Sequence, residues 1–321
     1  MALDDVPGRS PPPSAAPIPA AADSDVADIA GGRGGHRRPR GLRDAGPVPR
    51  RISPGRNLPA AIGVGLALGA LILLSLYVDK RGFVVLAIVA IGIAVWELSD
   101  AFAAKGIRVA RPPLLIGTVV VLIAAFSDGS EAFVIALALT AAAVLAWRLA
   151  DGPVDYLRDA TAGVFVALYG PFLAGFAVLA LRPDDGPARV VTLVILVVCN
   201  DVGGYAAGVL TGRHPMAPTI SPKKSWEGFI GSAIACVIGG ALTVWLLLDG
   251  SVFAGALVGF GAVCSATLGD LGESMIKRDL GIKDMGRLLP GHGGLMDRLD
   301  SLLPTAPGVY LLLALLVPVS S

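Results

Sequence analysis

The chain has 321 residues, 54% hydrophobic and only 16% charged, with a net charge of +1 and a mean hydropathy of +0.72. Soluble globular proteins carry about 25% charged residues, so this composition excludes an ordinary soluble enzyme and fits a chain solvated by lipid. The bulk charge points to no acidic partner, and three cysteines in apolar runs (Cys199, Cys236 and Cys264) imply neither a disulfide framework nor a zinc site.

Residues 1–57 are rich in Pro, Gly, Ala and Arg and lack apolar periodicity. Such a segment buries too little surface to offset its ordering entropy and reads as a disordered tail. No short apolar core with a cleavage site follows Met1, so it is not a signal peptide. Arg33, Arg37, Arg38, Arg40, Arg43, Arg50, Arg51 and Arg56 crowd the entry to the first span and suit a positive-inside anchor near anionic lipid rather than a nucleic-acid arm.

From residue 58 to 321 the chain reads as an all-α integral membrane domain. A crossing helix needs about 20 apolar residues. Spans are expected near 58–78, 82–103, 113–126, 131–149, 160–181, 190–210, 228–248, 252–270 and 297–318. The third is short and the ninth carries Pro304 and Pro307, which leaves a re-entrant or kinked form open for either. Basic residues concentrate in alternate loops: Lys105, Arg108 and Arg111; Arg148 and Arg158; Arg213, Lys223 and Lys224; then Lys277, Arg278, Lys283, Arg287 and Arg298. The other loops offer Lys80, Arg81, Arg182 and Arg189, offset by Asp79, Asp184 and Asp185. That asymmetry predicts a plasma-membrane protein with its N-terminus and polar active site cytoplasmic and its C-terminus external. No internal duplication suggests an inverted-repeat transporter.

The chemistry concentrates in the last third. Asp270, Glu273, Ser274, Lys277 and Arg278 fall on one stripe of a helix that continues the eighth span and stops at Gly281. Taken alone, the stripe fits a solvated helix end with an ion pair between Glu273 and Lys277. The residues beyond it strengthen the signal: Lys283-Asp284, then the turn Pro290-Gly291-His292-Gly293-Gly294, then Asp297-Arg298-Leu299-Asp300. Glycines in such a turn permit close backbone approach to an anion, and Asp297 and Asp300 share a helix face. Carboxylates, clustered Lys and Arg and a glycine turn are the parts that phosphoryl transfer needs. A second cluster, Ser221-Pro222-Lys223-Lys224-Ser225-Trp226-Glu227-Gly228, predicts a helix capped by Ser221 with Pro222 first, its lysines either anion-binding or boundary anchors. Asn200-Asp201 lies near mid-span, where an ionisable group is costly and a functional candidate. Glu97 and Asp100 are weaker candidates, open to a role as interhelical partners or as headgroup-level residues; His36 and His214 carry no signal.

The run Ser274, Lys277, Arg278, Lys283, Asp284, Pro290 to Gly294, Asp297, Arg298 and Asp300 resembles, without a gap, the signature of the phosphatidate cytidylyltransferase (CDP-diacylglycerol synthase) family. The patches around Asp201 and Lys223 are similar to two more, so the likeness is dense over 200–303 and loose before it. It implies transfer of a cytidylyl group from CTP to phosphatidate, drawn from the bilayer lipids, with Mg2+ or another divalent metal. By the resemblance, Asp201, Asp270, Asp297 and Asp300 would hold metal. Lys277, Arg278, Lys283, Asp284, His292 and Arg298 would be catalytic. Ser221, Lys223, Lys224, Glu227, Ser274, Gly293 and Gly294 would bind substrate. A phosphate monoester, with a second pKa near about 6, is already ionised at neutral pH and needs no general base. A CTP-dependent enzyme on another lipid phosphate or alcohol, a transporter using Asp201, and a homodimer stay open.

Overall fold

A computed structural model describes residues 69–286 and 294–319 of the chain, all within one compact unit, 54–321. The expected tail at 1–57, the start of the first span, the turn residues Pro290 to Gly293 (with His292) and Ser321 lie outside the described residues.

In chain order the helices are α1 (Gly69–Val78), α2 (Lys80–Ala103), α3 (Arg111–Ser127), α4 (Ser130–Leu149), α5 (Tyr156–Ala167) and α6 (Leu173–Leu181). There follow α7 (Gly186–Thr211), a hairpin of β1 (Pro215–Ala217) and β2 (Ser221–Ser225), α8 (Trp226–Leu247), α9 (Val252–Asp279), α10 (Met296–Leu299) and α11 (Leu302–Leu316). A π-turn over Leu168–Phe172 joins α5 to α6; Pro171 inside it lacks the N–H that a regular helix would use. Among the described residues seven helical stretches are long and apolar enough to cross a bilayer, with Gly69–Val78 and Arg111–Ser127 shorter. The last stretch, Met296–Leu316, keeps its length although Pro307, inside α11, cannot donate the helix bond to the Leu303 carbonyl. The three cysteines are free thiols.

Helix ends follow local rules. Asp79 caps α2 by accepting from the Arg81 amide at 2.9 Å, and Ser251 caps α9 through Ala254 N at 3.0 Å. At the far end of α9, Ile282 N donates to Lys277 O at 2.9 Å and Gly281 N to Arg278 O at 3.0 Å, with Gly281 at φ +61°. This is a Schellman stop, and it is why the polar stripe ends at Gly281 as its sequence predicts.

One expectation is overturned. Ser221 does not cap a helix and Pro222 does not begin one: Ser221–Ser225 is a strand paired antiparallel with Pro215–Ala217. The helix starts at Trp226, and Ser225 is its cap, its hydroxyl accepting from Gly228 N at 3.1 Å. Both serines have a good cap side chain, but Ser225 is followed at once by the apolar run. Lys223 and Lys224 therefore stand on a strand ahead of the helix.

Packing shows the reversed solvent logic of a bilayer. On α8, Ile230, Ile234, Ile238 and Leu242 form an exposed stripe, while Ser232, Cys236, Gly239, Gly240 and Thr243 face inward. Hydrocarbon does not drive large apolar groups inward, so small residues take the helix contacts. A methyl added at Gly203 would lie 2.7 Å from the Gly231 carbonyl oxygen, and one at Gly231 2.6 Å from that of Gly203, so α7 and α8 meet backbone to backbone. The core has two parts. One is built on α2 to α6, with Phe133 stacked on Phe172 at 5.5 Å and edge-on to Phe176; the other lies among α7, α8, α9 and α11.

The loops sort to two ends, in the alternation the charges predict. At one end Arg158 donates to Gly106 O at 2.7 Å and Arg278 to Ile220 O at 3.3 Å. At the other, Arg182 donates to Phe126 O at 3.0 Å and Arg189 to Val317 O at 3.0 Å. Lys105, Arg108, Lys223, Lys224 and Lys283 belong to connections at the first end, where the α9–α10 connection also lies.

Candidate active site

Asp201 sits ten residues before the last residue of α7, Thr211, hence about 15 Å along the helix from that end. A cavity of about 280 Å³ opens beside it, between α7, the hairpin, α8 and α9. Asn200, Asp201, Lys223, Lys224, Ser225, Ser232 and Asp270 supply its polar lining, and Tyr205 and Phe229 part of its apolar wall. Glycines bring α7 and α8 together along its wall: a methyl at Gly204 would stand 2.5 Å from Ser232 Oγ, and one at Gly228 3.1 Å from Gly204 O. Ser232 Oγ donates to Asn200 O at 2.6 Å, and Asn200 Nδ2 to Asp201 Oδ1 at 3.1 Å, so the carboxylate is held toward the cavity.

Lys224 reaches across from β2 to form an ion pair with Asp270 on α9. Its ammonium nitrogen is shielded from solvent and, among the described residues, makes no other hydrogen bond. Asp201, Asp270 and Asp300 lie within electrostatic reach of one another, with Lys224 and Arg298 also acting on Asp201. Asp300 accepts from Ser301 N at 2.7 Å. The site is thus a mixed-charge bowl, acidic on α7, α9 and the α10–α11 join, basic on the hairpin.

Farther along α9 a second group forms. Lys277 Nζ bridges Glu273 Oε1 at 2.8 Å and Asp297 at 2.7 Å, with Glu273 0% exposed. Asp297 also accepts from Met285 N at 3.0 Å on both oxygens and from Gly294 N at 2.7 Å. The i,i+4 pair of Glu273 and Lys277 is present, but as part of a buried triad rather than a solvated edge.

The expected residues therefore divide. Asp201, Asp270, Lys223 and Lys224 line one cavity, and Asp300 and Arg298 act on it electrostatically. Asp297 and Lys277 are engaged with each other and with backbone amides. Arg278 holds the hairpin through Ile220 O, Ser274 is half-buried on α9, and Lys283 and Asp284 are exposed after Gly281. Glu227 is not among the residues lining the cavity: it accepts from Arg213 N at 3.1 Å and His214 N at 3.2 Å and meets His214 Nδ1 at 2.6 Å, closing the base of the hairpin. His214 thus has a partner that its lone position in the sequence did not signal. Ser221 lies on β2 outside the lining, and His292 and Gly293 lie outside the described residues.

Among the described residues no three His, Cys, Asp or Glu side chains converge closely enough to cage a metal. Magnesium does not require that: one or two carboxylates with substrate phosphates and water complete its octahedron. The hard oxygen donors of Asp201, Asp270 and Asp300, gathered at like charge, suit such an ion.

Fold and cavity together define a multi-pass membrane protein with a polar, mixed-charge cavity among its helices. The chain belongs to the Cytidylyltransferase family, which it matches over residues 59–316. It is 45% identical over 278 residues to a phosphatidate cytidylyltransferase of Mycobacterium leprae, covering 82% of this chain and 89% of that one. A phosphatidate cytidylyltransferase of Mycobacterium tuberculosis is 40% identical over 283 residues, 84% of this chain and 86% of the relative. One from Helicobacter pylori is 42% identical over 144 residues, 44% of this chain and 53% of its own length.

Proposed function

We infer that the protein transfers the cytidylyl group of CTP to phosphatidate, giving CDP-diacylglycerol and pyrophosphate. The reading rests on family membership over most of the chain and on one structural observation, the half-buried Lys224–Asp270 pair lining a cavity inside the helical bundle. A phosphate-monoester oxygen of the lipid attacks the α-phosphorus of CTP. A new P–O bond forms there, the bond to the bridging oxygen of the β-phosphate breaks, and pyrophosphate leaves with that electron pair. The nucleophile is already anionic, so the task is to bring polyanions together.

The residues divide that task. Lys224 exchanges Asp270 for a phosphate oxygen of the nucleotide, and Lys223 at the rim adds a second positive charge. The released Asp270, with Asp201, would hold a divalent cation, which when bound neutralises phosphate charge and polarises the reacting phosphoryl group. Lys277, fixed by Glu273 and Asp297, and Arg298 face charge that develops on the leaving group. On this reading the chain crosses the plasma membrane nine times with its basic end in the cytoplasm, a side supported by the loop charges, and CTP arrives from the cytoplasm and the lipid from the inner leaflet.

Purified full-length protein in detergent with magnesium should release pyrophosphate from CTP only when phosphatidate is supplied. Release without lipid, or release only with another lipid phosphate or a lipid alcohol, would contradict the assignment.

A further inference from the structure

We propose that Glu97, on α2 in the other half of the bundle, is a positioning residue for this reaction, clamping the chain around Asp297 in place. The proposal rests on the inferred cytidylyl transfer. Glu97 is 8% exposed, and its Oε2 accepts from the Met296 amide at 2.9 Å, 199 residues away in sequence. The carboxylate lies against two glycines. A methyl at Gly286 would stand 2.3 Å from Glu97 Oε1, and one at Gly294 would stand 2.6 Å from Oε2 and 2.7 Å from Gly286 N. The chain thus leaves at Gly286 and returns at Gly294 in contact with itself, and Glu97 seals the closure from outside. Asp297 seals it from inside by taking the Met285 and Gly294 amides while it holds Lys277.

A merely structural acid would have both oxygens satisfied, because a buried unpaired carboxylate oxygen is costly. Among the described residues Glu97 Oε1 has no hydrogen-bond partner. What it has is steric fit to two positions without side chains, so its place is set by the segment it holds. A shift of about 1 Å in that segment would move Asp297 and Lys277 together, and misplacement of that size costs about tenfold to hundredfold in rate.

The test pairs turnover with backbone hydrogen exchange in the full-length protein. Glu97→Ala should speed exchange at 285–286 and 294–297 while leaving other helices as before. It should also lower kcat at least about tenfold with the KM for CTP within about twofold. Glu97→Gln, whose carbonyl oxygen still accepts from Met296 N, should restore both. Gly286→Ala should lower turnover on its own, yet cost nothing further in the Glu97→Ala background, where its methyl has room. Unchanged exchange in Glu97→Ala, faster exchange with normal turnover, or additive losses in the double variant would each overturn the proposal. If wild type shows no lipid-dependent turnover, the functional reading fails, and exchange alone decides whether the clamp exists.

Discussion

The two parts of the core solve the same problem in opposite ways. Helices α2 to α6 pack through bulk, with Phe133, Phe172 and Phe176 interlocked and charges confined to helix ends in pairs such as Arg148 with Asp159 at 2.8 Å. Helices α7 and α8 pack through absence, with glycine facing glycine across their contact. In hydrocarbon neither contact gains from burying apolar surface, so fit and close approach decide. Bulk fills the space between these helices with interlocked side chains. Glycine contacts bring backbones together and leave room for Asn200, Asp201, Ser232 and Asp270 around a cavity. The polar cavity sits beside the glycine contacts, and Glu97 ties Met296, close to Asp297, to the half built on large side chains.

That contrast can be broken at several points. Asp270→Asn removes the carboxylate facing Lys224 while keeping its shape, and should cut lipid-dependent turnover by at least about two orders of magnitude with helicity intact. Activity within a few-fold of wild type would move the reaction away from the cavity. Asp297→Asn keeps one acceptor oxygen but loses the charge partner of Lys277, so turnover should fall about tenfold and the thermal midpoint should drop with it, since two amides share that carboxylate. A fall in turnover at unchanged midpoint would reassign Asp297 from clasp to ligand. Phe133→Ala should cost about 3–5 kcal/mol of stability. Its activity per folded molecule should stay normal, and a specific loss of turnover would show that the scaffold tunes the site. Finally, single cysteines at Lys283 and Asp184, with native cysteines removed, should label from opposite sides of the membrane; labelling from one side would contradict the sorting of the loops into two ends.

Much of this was legible in the sequence for physical reasons. Long apolar runs and alternating loop charge follow from bilayer thickness and field, so α2 and α4 to α9 stood out. The stripe from Asp270 to Arg278 follows from helical periodicity, and its stop from Gly281. What escaped depends on contacts distant in sequence. The hairpin escaped because Ser221-Pro222 carries the same local start signal as Ser225, and only pairing with Pro215–Ala217 decides between them. The resemblance implied a substrate ligand at Glu227, yet its side chain turns to the amides of Arg213 and His214. Glu97 looked like one of several acids at a helix end; its partner is 199 residues away and its fit depends on two glycines that the sequence does not place beside it. Asp297 and Asp300 share a face by spacing, but backbone amides and Lys277 claim one and the cavity's field reaches the other.

The central claim is that the cavity between α7, α8, α9 and the hairpin receives the phosphates of CTP. Equilibrium binding of radiolabelled CTP, with magnesium, to purified wild type, Lys224→Met and Phe133→Ala tests it most directly. The account predicts binding at least about tenfold weaker for Lys224→Met, a loss of about 1.4 kcal/mol, and unchanged affinity for Phe133→Ala. Wild-type affinity in folded Lys224→Met protein would contradict it.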